Sequence, residues 1–195
     1  MSENQQYQSN ATAFRLKKTV VMVGMMGAGK TAVGRALALR LGVPFLDSDA
    51  EIESAANMTV PEIFARDGEP FFRARETQVI SRLLDEARGI LSTGGGAFLA
   101  QENRDNITAR GVSVWLNADL DLLWQRVRHK DTRPLLRTPD PRATLAEIYA
   151  TRVPLYAQAD VEVVSKPDLS IEEMVDRVIE TLLRDRRDVL EVQDA

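Results

Sequence analysis

The sequence predicts an α/β fold, a five-stranded parallel sheet covered by helices on both faces. Two observations predict it. Five short apolar runs, at 19–23, 43–46, 89–92, 112–116 and 161–164, recur along the chain, and the segments between them carry the apolar spacing of amphipathic helices. Strands separated by helices are joined by crossovers, which leaves them parallel and buried on both sides.

Taken in order, residues 1–18 are polar and read as a flexible extension with no apolar core of signal-peptide length, so neither secretion nor membrane insertion is expected. The first strand, 19–23, meets the glycine-rich turn GMMGAGKT at 24–31. A helix beginning near Lys30 follows, with Val33, Leu37 and Leu41 on one face. The second strand, 43–46, ends in Asp47-Ser48-Asp49. Helices are predicted over 50–56 and from 60, the latter with Pro61 in its first turn and ended by Gly68. The helix over 69–88 buries Phe72, Val79, Ile80, Leu83 and Leu84. Strand 89–92 enters Thr93-Gly94-Gly95-Gly96, a helix over 101–109 returns the chain to strand 112–116, and Asp119 opens a helix to about 128. Segment 129–142 is charged and holds Pro134, Pro139 and Pro141, which bars regular helix or central strand and predicts a mobile surface loop. Helix 143–158, strand 161–164 and helix 170–184 close the domain, and 185–195 reads as a frayed tail. The expected organisation is thus an extension at 1–18, one domain at 19–184 and a tail at 185–195.

Composition narrows the function classes. A chain of 195 residues, 44% hydrophobic and 28% charged, suits one domain with a sizeable core. Its net charge of -4 argues against a general nucleic-acid or anionic-membrane surface. The absence of cysteine excludes disulfides, thiolate metal sites and thiol nucleophiles. The single histidine, His129, argues against a histidine-based metal site and reads as a loop residue without a catalytic role. We expect a cytoplasmic monomer.

The turn at 24–31 fills the G-x-x-x-x-G-K-[ST] pattern between a strand and a helix. Glycines let successive N–H groups converge on a phosphate, and the helix adds its positive end. Lys30 can reach the β- and γ-phosphates of ATP, and the Thr31 hydroxyl can bind Mg²⁺. A second reading stays open: residues 27–32 also fit G-x-G-x-x-A, with Asp47 and Asp49 about 20 residues on, where a dinucleotide's ribose would sit. Strand alternation puts Asp47 and Asp49 on one side and Ser48 on the other, so one could serve a metal and the other accept a proton. Alternatively Asp49 caps the following helix. The glycines at 94–96 let a substrate lie against bare backbone. On spacing alone Arg73 and Arg152 read as solvated.

The loop at 24–31, Asp47-Ser48-Asp49, Phe72-Arg73, Thr93-Gly94-Gly95-Gly96, Arg133-Pro134-Leu135-Leu136 and Arg152 with Tyr156, in this order, resemble the shikimate kinases over about 20–183. The resemblance implies the three-layer P-loop kinase fold of nucleoside monophosphate kinases with a mobile lid at about 129–142. It implies ATP-dependent phosphorylation of the 3-hydroxyl of shikimate. Asp49, Arg73, Gly95 and Arg152 would hold shikimate, with Asp49 as base. Gly27, Ala28, Gly29, Lys30, Thr31, Ala32, Arg126 and Arg133 would hold ATP. Lys30 and Arg133 would assist transfer, and Thr31 and Asp47 would bind Mg²⁺. A kinase for gluconate or a nucleoside monophosphate shares the loop but has no need for Arg73, the triple glycine and Arg152 together; a non-catalytic nucleotide switch, the rival of another class, would hydrolyse ATP slowly without any acceptor.

Overall fold

The computed structural model of the chain describes residues 13–130 and 133–193. The elements are β1 (Ala13–Leu16), β2 (Thr19–Val23), α1 (Lys30–Leu41), β3 (Phe45–Asp47), α2 (Ser48–Ala56), α3 (Val60–Asp67), α4 (Glu69–Glu86) and β4 (Ile90–Ser92). There follow α5 (Gln101–Arg110), β5 (Gly111–Asn117), α6 (Leu120–Val127), α7 (Pro141–Tyr156), β6 (Val161–Val164), α8 (Ile171–Asp185) and β7 (Leu190–Gln193). Short 3-10 turns lie at Ala97–Leu99 and Pro134–Leu136.

Five strands form one parallel sheet in the order β3-β4-β2-β5-β6, as the alternating pattern requires. β2 and β5 are buried along nearly their whole length, because helices cover both faces. β6, at the sheet edge, alternates buried and exposed residues instead. Val20, Leu37, Ile80, Leu91, Leu123 and Leu182 are fully buried in the main core. A separate cluster of Ile52, Ile63 and Phe72 ties α2 and α3 to the start of α4. The chain enters this sheet in its middle, at β2, fills one side with β3 and β4, and then the other with β5 and β6. Connections therefore diverge at the carboxyl end of β2, which opens a crevice there. Among the described residues no helix is long and apolar enough to cross a membrane.

The two ends of the chain depart from expectation. β1 and β7 pair antiparallel, Leu16 opposite Leu190, and Lys17 N donates to Val189 O at 2.7 Å. Leu16, Val189 and Leu190 are buried against the main core. Residues 13–18 and the segment up to 193 thus belong to the folded body, and residues 1–12 lie outside the described residues. The pairing was illegible locally because two four-residue strands about 170 residues apart carry no periodicity of their own.

Boundaries shift by two residues where side chains cap. α2 begins at Ser48 rather than 50, because Asp47 accepts from Ala50 N at 3.0 Å. α7 begins at Pro141 rather than 143, because Asp140 accepts from Ala143 N at 3.1 Å and proline suits a first helical turn. Within the expected loop 129–142, Leu136 lies in a 3-10 turn and is anchored in the core.

Candidate active site

At the carboxyl end of β2 the chain turns through 24–29 into α1. Gly27 and Gly29 have φ of 80° and 93°, conformations that side chains resist. α1 has neither a side-chain cap nor an acidic residue in its first turn, so its leading N–H groups and positive end are left for an anion. Lys30 folds back over the turn and donates to Gly24 O at 2.7 Å and Met25 O at 2.9 Å. Burial holds its ammonium down at about 8, with Arg133 adding to the effect and Asp49 opposing it.

A cavity of about 690 Å³ opens over this turn. Gly27 to Ala32, Arg126 and Arg133 all line it, as do Asp47, Asp49 and Gly95. Arg126 reaches from α6 to donate to Gly27 O at 3.1 Å, and Arg133 Nε is buried without a partner among the described residues. Burial lowers the pKa of both guanidinium groups, so each gains by meeting an anion. His129, exposed, is not part of the lining.

Asp47 and Asp49 reach the cavity by a different route from strand alternation. Ser48 already begins α2, Asp47 is its cap, and Asp49 sits in its first turn. The capping role that stood as the alternative for Asp49 belongs to Asp47. Burial pushes Asp49 up to about 6, Asp47 adds to this, and Lys30 and then Arg73 pull the other way. Its Oδ1 is buried without a partner among the described residues. A carboxylate so tuned suits proton abstraction near neutral pH.

The glycines at 94–96 are explained by what a side chain would strike. A Cβ at Gly94 would stand 2.9 Å from Asp49 Oδ2, one at Gly95 3.2 Å from Arg152 Nη1, and one at Gly96 2.6 Å from Arg73 Nη1. Three side chains far apart in sequence thus converge on three consecutive glycines. Thr93 Oγ1 anchors the run to β2 by donating to Met22 O at 3.0 Å. Gly96→Ala should leave the fold intact, since the end of a long side chain can move, yet displace Arg73. We expect the KM for an anionic acceptor to rise on the order of tenfold with the melting temperature little changed, checked by steady-state kinetics and calorimetry.

Two residues to which the sequence reading assigned no role take part, Glu76 and Tyr156, the latter quoted only within the resemblance. Arg73, read as solvated on spacing alone, is half-buried: it donates to Glu76 Oε1 at 2.8 Å, and Glu76 is 1% exposed. Burial pushes Glu76 up to about 6 against the pull of Arg73. Tyr156, fully buried, donates its hydroxyl to Gly95 O. The signals were present, an acid three residues after Arg73 and a tyrosine four after Arg152, but such helical pairs are too common to single out a site.

A family model described as shikimate kinase matches residues 26–183. The chain belongs to the shikimate kinase family. A shikimate kinase of Ruegeria pomeroyi is 72% identical over 180 residues, covering 92% of this chain and 92% of the relative. One of Cereibacter sphaeroides is 65% identical over 180 residues, covering 92% of this chain and 89% of the relative. A solved shikimate kinase from Acinetobacter baumannii, in complex with shikimate, superposes with a TM-score of 0.81 at 37% identity, covering 87% of this chain and 95% of that one. As a member of the shikimate kinases the chain is a phosphotransferase on a P-loop kinase fold, and the dinucleotide reading of 27–32 falls. Lys30 and Thr31 directly after the last loop glycine are what that reading could not use.

Proposed function

We propose that this chain transfers the γ-phosphoryl group of ATP to the 3-hydroxyl of shikimate, giving shikimate 3-phosphate and ADP in aromatic amino acid biosynthesis. The observation that carries the acceptor assignment is the glycine run faced by Asp49, Arg152 and Arg73. Two arginines and a carboxylate match an acceptor bearing one carboxylate and several hydroxyls. Arg73 and Arg152 take the acceptor carboxylate through paired N–H donors, and Gly95 offers bare backbone. Asp49 accepts the hydroxyl proton as the new O–P bond forms and the bond to the oxygen of departing ADP breaks.

The loop at 24–31 cradles the phosphates, and Lys30 exchanges its carbonyl partners for the β- and γ-phosphates. Arg133, carried by a lid at 129–142, adds charge at the transferred group, and Arg126 borders the adenine. Closing that lid excludes water, which would otherwise take the phosphoryl group. Thr31 and Asp47 present a hydroxyl and a carboxylate, the hard oxygens that Mg²⁺ accepts beside phosphate and water. Asp47 uses Oδ1 on Ala50 N and keeps its other oxygen. Mg²⁺ bound there supplies neutralisation of phosphate charge. The same reading makes the chain a cytoplasmic monomer acting on a small molecule, with neither nucleic acid nor membrane as partner, in keeping with its net charge of -4.

The test is ADP release from Mg·ATP with and without shikimate, with gluconate and a nucleoside monophosphate as competing acceptors. Strong stimulation by shikimate alone is expected, and stimulation by another acceptor instead would overturn the assignment. Arg73→Ala should raise the shikimate KM about tenfold or more and leave the ATP KM within about twofold; equal losses for both would remove Arg73 from the acceptor site. The variant also leaves Glu76 buried without its cation, so that carboxyl titrates above about 6. A carboxyl raised in the folded state favours folding below its unfolded pKa and loses that contribution as pH rises through its folded value. Arg73→Ala should therefore lose stability, relative to the parent, as pH rises above about 6.

A further inference from the structure

We propose that Tyr156 is a positioning residue for shikimate, its buried hydroxyl fixing the Gly95 peptide and, beside it, the Arg152 guanidinium. The inference rests on the reading of Gly95 and Arg152 as shikimate contacts, and concerns what holds them in place.

The three carbonyls of the glycine run are each accounted for. Gly94 O accepts from Ala97 N and Gly96 O from Leu99 N, both at 3.2 Å, within the 3-10 turn that follows. The Gly95 carbonyl accepts from Tyr156 Oη, a group brought by a distant helix. In a trans peptide the carbonyl and the next N–H point opposite ways, so holding Gly95 O also sets the direction of Gly96 N–H. Tyr156 therefore determines how this peptide faces an acceptor.

The phenol is itself well fixed. It is fully buried and stacks on Trp115, at the carboxyl end of β5, with ring centroids 6.3 Å apart and planes 29° from parallel. Burial pushes its pKa up, with Arg152 opposing, so the hydroxyl keeps its proton and donates throughout the neutral range. Arg152 stands one turn earlier on α7 and shares its face, with Nη1 3.2 Å from the Cβ position of Gly95. The same Cβ position lies 3.8 Å from Gly24 O and from Met26 N, so the peptide that Tyr156 holds packs directly on the phosphate loop. A phenylalanine would fill the ring's space equally well. Only the hydroxyl can serve Gly95 and Arg152, and that separates positioning from packing.

The experiment compares the parent enzyme with Tyr156→Phe, Arg152→Ala and Leu145→Ala, the last removing a fully buried side chain of the same helix as a control for loosened packing. The proposal expects Tyr156→Phe to raise the shikimate KM on the order of tenfold while the ATP KM stays within about twofold. Leu145→Ala should lower the melting temperature and leave the shikimate KM within about twofold. The proposal is overturned by an unchanged shikimate KM in Tyr156→Phe, by parallel rises for both ligands, or by an equal rise in Leu145→Ala. Loss of folded protein in Tyr156→Phe while Leu145→Ala folds would overturn it too, since the hydroxyl would then be a structural group. Failure of the underlying reading looks different: the parent would release no ADP in response to shikimate, or Arg152→Ala would keep the parent's shikimate KM.

Discussion

Lys30→Met is expected to lower kcat by at least about 10³-fold while changing stability at pH 7 by no more than about 3 kcal/mol. The rate loss follows from where charge develops. Phosphoryl transfer spreads negative charge over the transferred group, and a fixed cation beside it is worth far more in an enclosed site than in water. Stability follows from opposing terms. The ammonium donates to Gly24 O and Met25 O, bonds worth about 1.5–3 kcal/mol each when the donor is charged. Against this, burial has brought its pKa down to about 8, which means folding penalises the charge by about 3 kcal/mol below that pH. Methionine removes the bonds and the penalty together. The linkage has a definite sign: the folded state sheds this proton more readily than the unfolded chain, so the parent gains stability from Lys30 as pH rises from about 8 toward 10.5. Calorimetry across that range should show the rise in the parent and its absence in Lys30→Met. Near-normal turnover by the variant would remove Lys30 from the site.

Asp49→Asn should cost about 10²–10⁴ in kcat, the usual contribution of a positioned general base. The parent should meanwhile lose kcat/KM for shikimate as pH falls through about 6, the value to which burial, then Asp47, push the Asp49 carboxyl. An ordinary aspartate would place that limb near 3.8. The residual activity of the variant should lack the limb. Stability moves in the opposite sense to activity. The raised carboxyl favours folding below pH 3.8 and loses that contribution as pH rises through about 6, so at pH 7 ionised Asp49 is a burden on the fold. Asp49→Asn should be the more stable protein at pH 7, by on the order of 1–3 kcal/mol, and no more stable near pH 4. A variant less stable than its parent at pH 7 would count against a desolvated carboxylate.

These two residues also mark how far the sequence could be read. Lys30 and the loop before it are a local pattern: strand, turn and helix follow one another, and each position has a backbone or charge reason to be what it is. The five strands of the parallel sheet were legible for the same reason, each a short apolar run followed by a helical stripe. Asp49 was found for a partly mistaken reason. Strand alternation was to bring it beside Asp47, whereas a helix that starts at Ser48, two residues early, brings both to the cavity. A cap can move a helix start by two residues without altering the composition around it.

By itself the sequence determined the phosphate loop, the alternation of strand and helix, and the exclusion of thiol chemistry, because these depend on neighbours along the chain or on composition alone. Only the tertiary structure decided which side chain stands against which glycine at 94–96, that Glu76 is the buried partner of Arg73, that Tyr156 holds Gly95, and that the two ends of the chain pair as β1 and β7. Each of these joins segments through packing of the whole sheet, or through one rotamer among several on a helix face. Such contacts leave no period in the sequence, since the entropy of bringing distant segments together is offset by the core as a whole and by no residue that could announce it.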